Sequence, residues 1–476
     1  MLKLFECSQN SNLRLASLIW LTKHELYLDE LCELTGFSPE ALAEVPATHP
    51  KTVFFPVVMS SGQASIAKAY VYILPSNYSR AIALTGHNIA SCNHLSHLSS
   101  KNCVIAFDQS IEGNSWQLAA LAALIDNGRY PITGLAFSGI VHADGRITSA
   151  SDLQVKASCC KAEGLSFISR IETVSALSNW LNSDTIPLPV AQLQGNKRDL
   201  ELVQDKLESK VKERYPWFSF NALEDMYSSP REDLAIYGEG NLEFDPRSWQ
   251  QLLASKARKL FDALEYKVRP RKPHWYYTGQ ISALQLGIGA VFGFKRAISI
   301  LQLDFSNSDY TEVFTLYGKN NARELKNVSI RADECKQVEG QLQISNPNNR
   351  ELGMILFLGS HNPIGEAKEF CISDLNVNNF LIIKARANQG VLQTDENWLL
   401  LVQEINALLN MAREEHSWRR IHLFVTAPTA LCMALGIAIG HFLPVELYHY
   451  QYDAPGLKYK AMYAMDKALS YVGDEI

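Results

Sequence analysis

The sequence lacks several features that would place it at once in a common functional class. Neither charge is in excess, because 44 Lys and Arg stand against 50 Asp and Glu for a formal net charge of −6. A mildly acidic chain has no overall attraction for nucleic acid polymers, so any nucleotide site must be a local pocket. The nine cysteines have no regular spacing, which is typical of reduced, intracellular thiols. No G-x-x-x-x-G-K-[ST] loop occurs, so the sequence predicts no P-loop ATPase.

Long hydrophobic runs are also scarce. The apolar run 15–21 is too short for a signal peptide, and Lys23 follows it closely. The run 423–445 carries no Asp, Glu, Lys or Arg and has the length of a membrane span. Thr426 to Thr429 interrupt it around Pro428, and Pro444 precedes a β-rich segment. We therefore expect a buried strand, a turn, a helix and another strand there, and a cytoplasmic protein.

One serine stands at the start of a predicted helix in a setting that suits a nucleophile. Ser115 follows Gly113 and Asn114 and precedes a run of small and apolar residues over 116–124. The glycine lets the backbone approach a substrate closely, and free N–H groups at a helix start can hold an oxyanion. Gly113 and Asn114 are therefore candidates for an oxyanion loop. The same three residues also suit an ordinary helix N-cap.

A lysine on a later predicted helix has the surroundings of a general base. Leu153, Cys159 and Cys160 lie three or four residues from Lys156, so its face of the helix is apolar. Burial lowers the pKa of a lysine, and a neutral amine can activate a serine. Bringing that pKa from about 10.4 to about 7–8 costs roughly 4 kcal/mol. Asp152 opposes the shift unless it turns outward, and a lysine on an amphipathic helix is also ordinary.

These residues lie in a stretch, about 52–190, that resembles the Lon protease domain. Lon-type enzymes carry an acidic-Gly-small-Ser turn, a small-residue helix, a Thr-Gly strand start, a second glycine and then a lysine. Here those places are held by the turn 112–115 and the helix after it, by Ser138 with Gly139, by Gly145 and by Lys156. The resemblance implies that Ser115 is the nucleophile and Lys156 the general base. It also implies that Ser138 replaces a threonine that hydrogen-bonds the lysine.

The sequence departs from the Lon pattern at three places. Glu112 replaces an aspartate, Asn114 replaces a proline, and Ser151 with Asp152 replaces a Gly-Gly pair. We also find no AAA+ ATPase before this stretch, so a protease of this kind must be controlled by something other than ATP.

Four parts are expected along the chain, in a multidomain protein of mixed α/β and α+β class. They are a helical segment at 1–50, a Lon-like α+β protease domain at 51–190, a charged helical connector at 191–270 and a separate α/β domain at 271–476. Cys92, His94 and His97 form a loose cluster in a serine-rich stretch that we interpret as a loop. We expect neither a metal nor another cofactor there or elsewhere.

The last part contains a short internal repeat. Residues 282–288 lead to a strand predicted at 297–305, and the similar residues 429–437 lead to one predicted at 445–450. Two copies of helix-then-strand suggest a domain of two related halves. Other strands are expected at 351–358, 380–384 and 420–425, with a helix at 395–416. Gly287, Gly289 and Gly293 precede a strand instead of following one, so they predict close helix packing and not a dinucleotide fingerprint.

Ligands of open α/β sheets bind outside the carboxyl ends of the strands. Small polar residues there can present N–H groups to phosphate, cations can add charge, and aromatic rings can stack on bases. The candidate ligand residues on these grounds are Trp275, Tyr276, Ser360, His361, Asn362, Lys384, Arg386, Thr426, Pro428 and Thr429. For each, a role in the core or in a simple turn is the alternative.

The region 270–476 resembles the SAVED domain, a sensor of cyclic oligonucleotides built from two fused CARF-like, Rossmann-type halves. Its markers are the segment 423–436 and the strand after it. The whole chain therefore resembles a Lon-SAVED fusion, an effector of CBASS and type III CRISPR antiphage systems. That resemblance implies activation by a cyclic di-, tri- or tetranucleotide, ligand-induced homo-oligomerisation, and cleavage of a partner protein encoded nearby. An inert Lon-like scaffold with a nucleotide sensor is the alternative, and degradation of the ligand by the sensor is a third possibility.

Overall fold

The computed structural model describes residues 1–74, 80–85, 88–240, 242–304, 306, 308–386, 396–451 and 458–469. The chain divides into two compact units, and it crosses between them three times. Unit 1 comprises 1–184 and 215–231, and unit 2 comprises 185–214 and 232–476. The predicted charged connector is thus shared, with 215–231 in unit 1 and the rest of it in unit 2.

Unit 1 is built from short strands and helices. Its strands are β1 (Lys51–Val58), β2 (Ala64–Leu74), β3 (Ala81–Leu84), β4 (Ile89–Ser91), β5 (Asn102–Phe107), β6 (Leu135–Phe137), β7 (Ile140–Val141), β8 (Ile147–Thr148) and β9 (Ser166–Ile168). Its helices are α1 (Leu2–Cys7), α2 (Ser11–Lys23), α3 (Leu28–Thr35), α4 (Pro39–Ala43), α5 (Asn93–Ser99), α6 (Gln117–Ile125), α7 (Leu153–Ala162), α8 (Val174–Asn182) and α10 (Phe220–Tyr227).

Seven strands of unit 1 form one mixed sheet in the order β4-β3-β5-β2-β1-β6-β9, while β7 and β8 form a separate hairpin. Strand β5 is buried along its whole length, which explains its continuous run of apolar residues. Helix α6 is buried at every position from Gln117 to Leu124. Its small residues allow it to pack closely on the sheet, and it begins one residue later than predicted, with Trp116 at its N-cap.

Unit 2 holds two sheets and the longest helices. Its strands are β10 (Thr185–Gly195), β11 (Ala235–Glu239), β12 (Lys272–Gly279), β13 (Ala297–Asp304), β14 (Asp309–Tyr317), β15 (Val338–Gln343), β16 (Glu351–Phe357), β17 (Phe380–Ala385), β18 (Arg420–Thr426), β19 (Val445–Tyr450) and β20 (Tyr459–Ala464). Its helices are α9 (Lys197–Arg214), α11 (Pro246–Gln251), α12 (Arg258–Val268), α13 (Ser282–Phe292), α14 (Asn321–Lys326), α15 (Ile364–Ser373), α16 (Trp398–Glu415) and α17 (Thr429–Ile439).

The two sheets of unit 2 repeat one pattern. The first has the order β11-β10-β12-β13-β14 and the second the order β15-β17-β16-β18-β19-β20. In the first, β12 leads through α13 to the parallel strand β13 and then to the antiparallel β14. In the second, β18 leads through α17 to the parallel β19 and then to the antiparallel β20. Both final pairs carry a register shift, at Ile300/Leu301 and at Leu447/Tyr448. The internal repeat seen in the sequence therefore corresponds to two halves of matching topology.

The two repeated helices, α13 and α17, cross at glycines. A Cβ atom placed on Gly289 would collide with the backbone oxygen of Met433, and one on Gly436 would collide with that of Leu286. The Cβ built on Gly436 would also lie 3.0 Å from the Gly289 Cα. These glycines thus allow backbone to touch backbone, as predicted for Gly289. The charge-poor stretch 423–445 folds as the predicted strand, helix and strand, and no described helix is both long and apolar enough to span a membrane.

Candidate functional site

The Ser115 turn in unit 1 is held by its own neighbours. Gly113 has φ +76°, a conformation that glycine adopts without strain. The indole N–H of Trp116 donates to the Gly113 oxygen at 3.0 Å, and the Gln117 N–H donates to the Asn114 oxygen at 3.1 Å. The Ser115 side chain is half-buried. The turn is therefore a fixed loop at the start of α6, with Gly113 and Asn114 exposed.

The end of strand β6 is joined to this turn by backbone hydrogen bonds. The Gly139 N–H donates to the Ser115 oxygen at 2.9 Å, and the Leu118 N–H donates to the Gly139 oxygen at 3.2 Å. A Cβ on Gly139 would lie 3.1 Å from Leu118 and 3.2 Å from Ile147, so this position favours glycine. Ser138, the residue before it, has no exposed surface.

Lys156 is buried on α7, with 4% of its surface exposed. Its Nζ donates to Ser138 Oγ at 3.4 Å. Burial lowers the pKa of Lys156, while the charge of Asp152 acts in the opposite direction. Of the predicted apolar neighbours, Cys160 is buried. The burial of Lys156 and the buried Cys160 on the same helix disfavour the charged form of the lysine side chain.

The structure brings Ser115, Ser138 and Lys156 into one neighbourhood. Lys156 Nζ donates a hydrogen bond to Ser138 Oγ, and the backbone N–H of Gly139, the residue after Ser138, donates to the Ser115 oxygen. Within the described residues, no hydrogen bond joins Lys156 Nζ to Ser115 Oγ. Catalytic hydrogen bonds are often long in free enzymes and tighten in the substrate complex. The absence of this bond among the described residues therefore leaves a Ser115–Lys156 dyad as a prediction.

Asp152 lies at the N-cap of α7 in an unusual conformation. Its φ is +59° and its side chain caps no N–H group. It is exposed, yet its charge still raises the pKa of Lys156. It occupies the place where the Lon pattern has glycine, the residue that adopts positive φ most easily.

We predict that Asp152→Asn moves the pH dependence of serine reactivity to lower pH. Asparagine tolerates positive φ, and the substitution removes the charge that raises the pKa of Lys156. The neutral amine will then persist at lower pH. The measurement is the rate at which a fluorophosphonate labels Ser115 between pH 5 and pH 10. Glu163→Gln, an exposed carboxylate at the other end of α7, should leave the profile unchanged, and equal profiles for all three proteins would contradict the prediction.

The stretch with Cys92, His94 and His97 is not the predicted loop. Residues Asn93–Ser99 form helix α5, with Cys92 at its N-cap. Burial raises the pKa of the Cys92 thiol to about 12, which disfavours the thiolate that binds metals. Among the described residues, no group of three or more His, Cys, Asp or Glu side chains is placed to hold a metal ion.

A cavity of about 630 Å³ lies in unit 2. It opens at the carboxyl ends of β13, β16, β18 and β19, and at the starts of α13 and α17, as expected for an open α/β sheet. The residues that line it are Ile281, Ser282, Ala283, Gln302, Leu303, Asp304, Ser306, Leu358, Gly359, Ser360, His361, Trp398, Val425, Thr426, Ala427, Pro428, Tyr448, His449, Tyr450 and Tyr459.

This cavity is aromatic and carries little charge. No Lys or Arg is among its described lining residues, and Asp304 is an acid within it. Hydrogen bonds from Ser306 lower the pKa of Asp304, so that carboxylate is charged. Burial lowers the pKa of His449 to about 4, which makes that ring neutral. At the rim, Glu366 pairs with His361 at 3.3 Å and accepts from the Tyr450 hydroxyl at 3.2 Å.

The part of unit 2 that contains this cavity matches one family model, over residues 282–465. The family is described as "SMODS-associated and fused to various effectors sensor domain", or SAVED. Residues 282–465 form a SAVED domain. The match covers less than half of the chain, and it places both repeated helices and the cavity within the SAVED domain.

Solved structures of SAVED/CARF receptors also resemble the chain. The Acinetobacter baumannii Cap4 receptor with the cyclic trinucleotide 2′3′3′-cAAA has a TM-score of 0.37 and 14% identity, over 61% of this chain and 53% of that one. The same receptor with 3′3′3′-cAAA has a TM-score of 0.35 and 17% identity, over 47% and 45%. The Moraxella osloensis Cap4 receptor has a TM-score of 0.31 and 14% identity, over 61% and 53%. The chain thus spans about half the length of these receptors, and no curated protein is significantly similar to it.

Four of the ten predicted ligand residues line the cavity of the SAVED domain. They are Ser360, His361, Thr426 and Pro428. Two further candidates are close in the chain but do not line it. Asn362 accepts the Ile364 N–H at 3.0 Å at the start of α15, and Thr429 donates to the Gln302 side chain at 3.4 Å.

The structure does not bring the other four candidates to the cavity. Lys384 pairs with Glu339 on the neighbouring strand at 2.8 Å, and the Arg386 guanidinium donates to the Val338 oxygen at 3.1 Å. Both cations therefore face the outer pair β15–β17. Trp275 and Tyr276 are each only 1% exposed, because β12 is a central strand whose faces are both covered. Trp275 packs edge-on against Phe261 at 5.3 Å, so neither ring is available for stacking.

Sequence reasoning missed most of the aromatic lining. Tyr448 and Tyr450 lie at the end of β19, and Gln302 with Asp304 lies at the corresponding end of β13. The internal repeat contained the signal, because β13 and β19 are equivalent strands of the two halves. Applying the carboxyl-end rule to both copies would have found these residues.

Proposed function

We propose that the chain is a ligand-gated serine endopeptidase, in which a cyclic oligonucleotide binds the SAVED cavity and activates the Ser115–Lys156 site. The observation that carries the proposal is the buried Lys156 amine. Its Nζ donates to Ser138 Oγ, and the next residue, Gly139, is hydrogen-bonded through its backbone to the Ser115 turn. The same chain contains a SAVED domain. Nucleophilic catalysis by a serine requires a nearby base, and a lysine can act as that base when burial disfavours its charged form.

The proposed chemistry is acyl transfer. Neutral Lys156 takes the Ser115 hydroxyl proton as Oγ attacks the peptide carbonyl carbon, and the protonated lysine then returns a proton to the departing amine. Water hydrolyses the acyl-enzyme by the same proton exchange in reverse. Ser138 holds the amine in place through its Oγ. The exposed Gly113–Asn114 loop offers backbone N–H groups for the oxyanion, where one donor is typically worth about 3–4 kcal/mol.

The proposed gating is a matter of linkage. A ligand activates the enzyme only if it binds the active state more tightly than the idle one, by a few kcal/mol. By the Lon-SAVED resemblance, the active state is a homo-oligomer in the cytoplasm, the substrate is a partner protein, and the setting is antiphage defence.

A cyclic oligonucleotide should raise the melting temperature of the full chain. At a hundredfold excess over its dissociation constant a ligand adds about 2.7 kcal/mol to the free energy of unfolding. A thermal-shift screen of cyclic di-, tri- and tetranucleotides, with linear oligonucleotides of the same bases for comparison, tests this.

Ser360→Trp should abolish the shift because the indole fills the cavity mouth. Ser373→Trp, at the exposed end of α15 and outside the lining, should retain it. If no cyclic nucleotide shifts the parent protein, or if both variants respond equally, the cavity is not the ligand site.

An inert Lon-like scaffold is the second candidate function. It is favoured by the hydrogen bond of Lys156 Nζ to Ser138 and not to Ser115. Covalent labelling of Ser115 by a fluorophosphonate, detected by peptide mass spectrometry, distinguishes the two. Labelling of a ligand-bound sample supports the peptidase, and a complete lack of labelling supports the scaffold.

A further inference from the structure

Asp225, on α10 of unit 1, is a buried carboxylate with an unusual number of donors. Its Oδ2 accepts the backbone N–H groups of Ser169 at 2.9 Å and Arg170 at 3.0 Å. Its Oδ1 accepts from the Arg170 guanidinium, from Nε at 2.8 Å and from Nη2 at 2.6 Å. The Asp225 side chain is only 7% exposed. Charge-assisted bonds of this kind are short and strong, and together they fix the backbone at 169–170.

The clamped residues directly support the candidate active site. Ile168, at the end of β9, accepts the N–H of Ser138 at 3.0 Å. Ser138 Oγ in turn accepts from Lys156 Nζ. A second contact comes from the approach to α7, where the Ser149 hydroxyl donates to the Ser169 oxygen at 3.1 Å. Asp225 is therefore connected to the lysine amine through three hydrogen bonds, which are joined by the peptide unit between Ile168 and Ser169 and by Ser138 itself.

The carboxylate is supplied by a segment that lies outside the Lon-like stretch. Residues 215–231 belong to unit 1, although the chain on each side of them belongs to unit 2. Helix α10 packs on β9, which is the edge strand of the seven-stranded sheet. Ser228 at the end of α10 also contacts Ser166 of β9, hydroxyl to hydroxyl, at 3.0 Å. Strand β9, whose Ile168 oxygen accepts the Ser138 N–H, therefore packs against a segment whose two ends both continue into unit 2.

We propose that Asp225 is a positioning residue for the Ser138–Lys156 pair. It holds 168–170 so that β9 presents the Ile168 oxygen to Ser138, and Ser138 then fixes the direction of the amine towards the Ser115 turn. The expected effect of Asp225 on Ser115 reactivity rests on the proposed peptidase function. The positioning of residues 168–170 and Ser138 by Asp225 does not rest on it. Among the described residues no hydrogen bond or ion pair joins Asp225 to Ser115 or Lys156, so the proposed effect on reactivity acts through Ser138.

The first test is amide hydrogen exchange, which does not depend on activity. In Asp225→Asn the peptide that covers 136–141 should exchange at least about tenfold faster than in the parent protein, as should the peptide that covers 166–172. The control is Asp126→Asn at the end of α6. Asp126 is also 7% exposed, pairs with Lys51 at 2.9 Å and accepts the Gly128 N–H at 3.0 Å. It should leave both peptides at the parent rate.

The second test separates chemistry from binding. With a fluorophosphonate on Ser115, Asp225→Asn should lower the maximal rate of inactivation about tenfold while the half-saturating probe concentration stays unchanged. Arg170→Gln keeps the two backbone bonds to Asp225 and should have the smaller effect. Asp126→Asn should change neither constant, even if it lowers the melting temperature to the same extent.

The outcomes distinguish the two proposals. If 136–141 exchanges in Asp225→Asn as slowly as in the parent, the positioning role is refuted whatever the activity. If exchange rises as expected and the parent Ser115 never reacts, the positioning role of Asp225 is supported and the peptidase proposal fails. If the reactive parent loses no rate in Asp225→Asn despite faster exchange, the role in catalysis is refuted.

Discussion

Lys156→Met is expected to reduce the rate of Ser115 acylation by about 10²–10⁴-fold, the usual contribution of a positioned general base. Methionine is close to lysine in length and apolar, so it fills the buried site next to Ser138 without the amine. Because burial disfavours the lysine charge, the melting temperature should stay the same or rise. The measurement is fluorophosphonate labelling of Ser115 and, once a substrate is known, cleavage of the partner protein.

Two variants make this experiment decisive. Lys161→Met removes an exposed lysine from the last turn of the same helix and should label at the parent rate. Ser115→Ala should abolish labelling and cleavage while leaving the ligand-induced thermal shift intact. Full reactivity of Lys156→Met would remove the lysine from the mechanism, and cleavage by Ser115→Ala would remove the serine.

Gly289→Ala is expected to lower the free energy of unfolding of unit 2 by about 2–3 kcal/mol, in the range of overpacking costs. The added methyl group meets the Met433 oxygen and would lie 2.9 Å from the Ile437 nitrogen. Backbone atoms of a buried helix cannot turn aside as a side chain can, so α13 and α17 must move apart. The melting temperature should fall by about 5–10 °C. Since both helices begin at the cavity, ligand affinity should fall as well.

Gly365→Ala is the matched control for that substitution. Gly365 is a helical glycine of the same unit, in α15, and its added Cβ would have no atom within 4 Å apart from its chain neighbours and the backbone of its own helix. Alanine there should stabilise the protein by up to about 1 kcal/mol because of its higher helix propensity. Thermal unfolding of the three proteins measures both effects. An unchanged melting temperature for Gly289→Ala would show that the helix crossing is not tightly packed.

Much of the SAVED domain could be predicted from the sequence because its signals are local. The strands around 351–358, 420–425 and 445–450 and the helix near 395–416 are continuous apolar runs or good 3.6-residue patterns, and the structure has β16, β18, β19 and α16 there. The repeat predicted two related halves, which the matching sheets confirm. Lys156 Nζ lies within hydrogen-bond distance of Ser138 Oγ, which is the contact that the Lon resemblance implies.

Other parts depend on contacts that no local pattern contains. Trp275 and Tyr276 looked available for stacking, but β12 is covered on both faces. Lys384 was a predicted phosphate ligand, but in the structure it pairs with Glu339 of the neighbouring strand β15. Asp225 could not be found because its partners lie 55 and 56 residues earlier in the chain. Contacts between residues far apart in the chain decide the surroundings of these side chains. Local patterns in a single sequence do not show such contacts.

The three crossings of the chain between its units limit how the protein can be taken apart. A fragment that stops at Asp184 would lose α10, and one that begins at Thr185 would carry it away from its strand. Phe220, Leu223 and Met226, all buried, would then be exposed on a helix without a partner. Exchange of residues 1–184 at one junction would therefore leave α10 without the sheet on which it packs. An exchange of unit 1 as a whole must therefore use three junctions, at 184/185, 214/215 and 231/232, so that 215–231 travels with the sheet on which it packs.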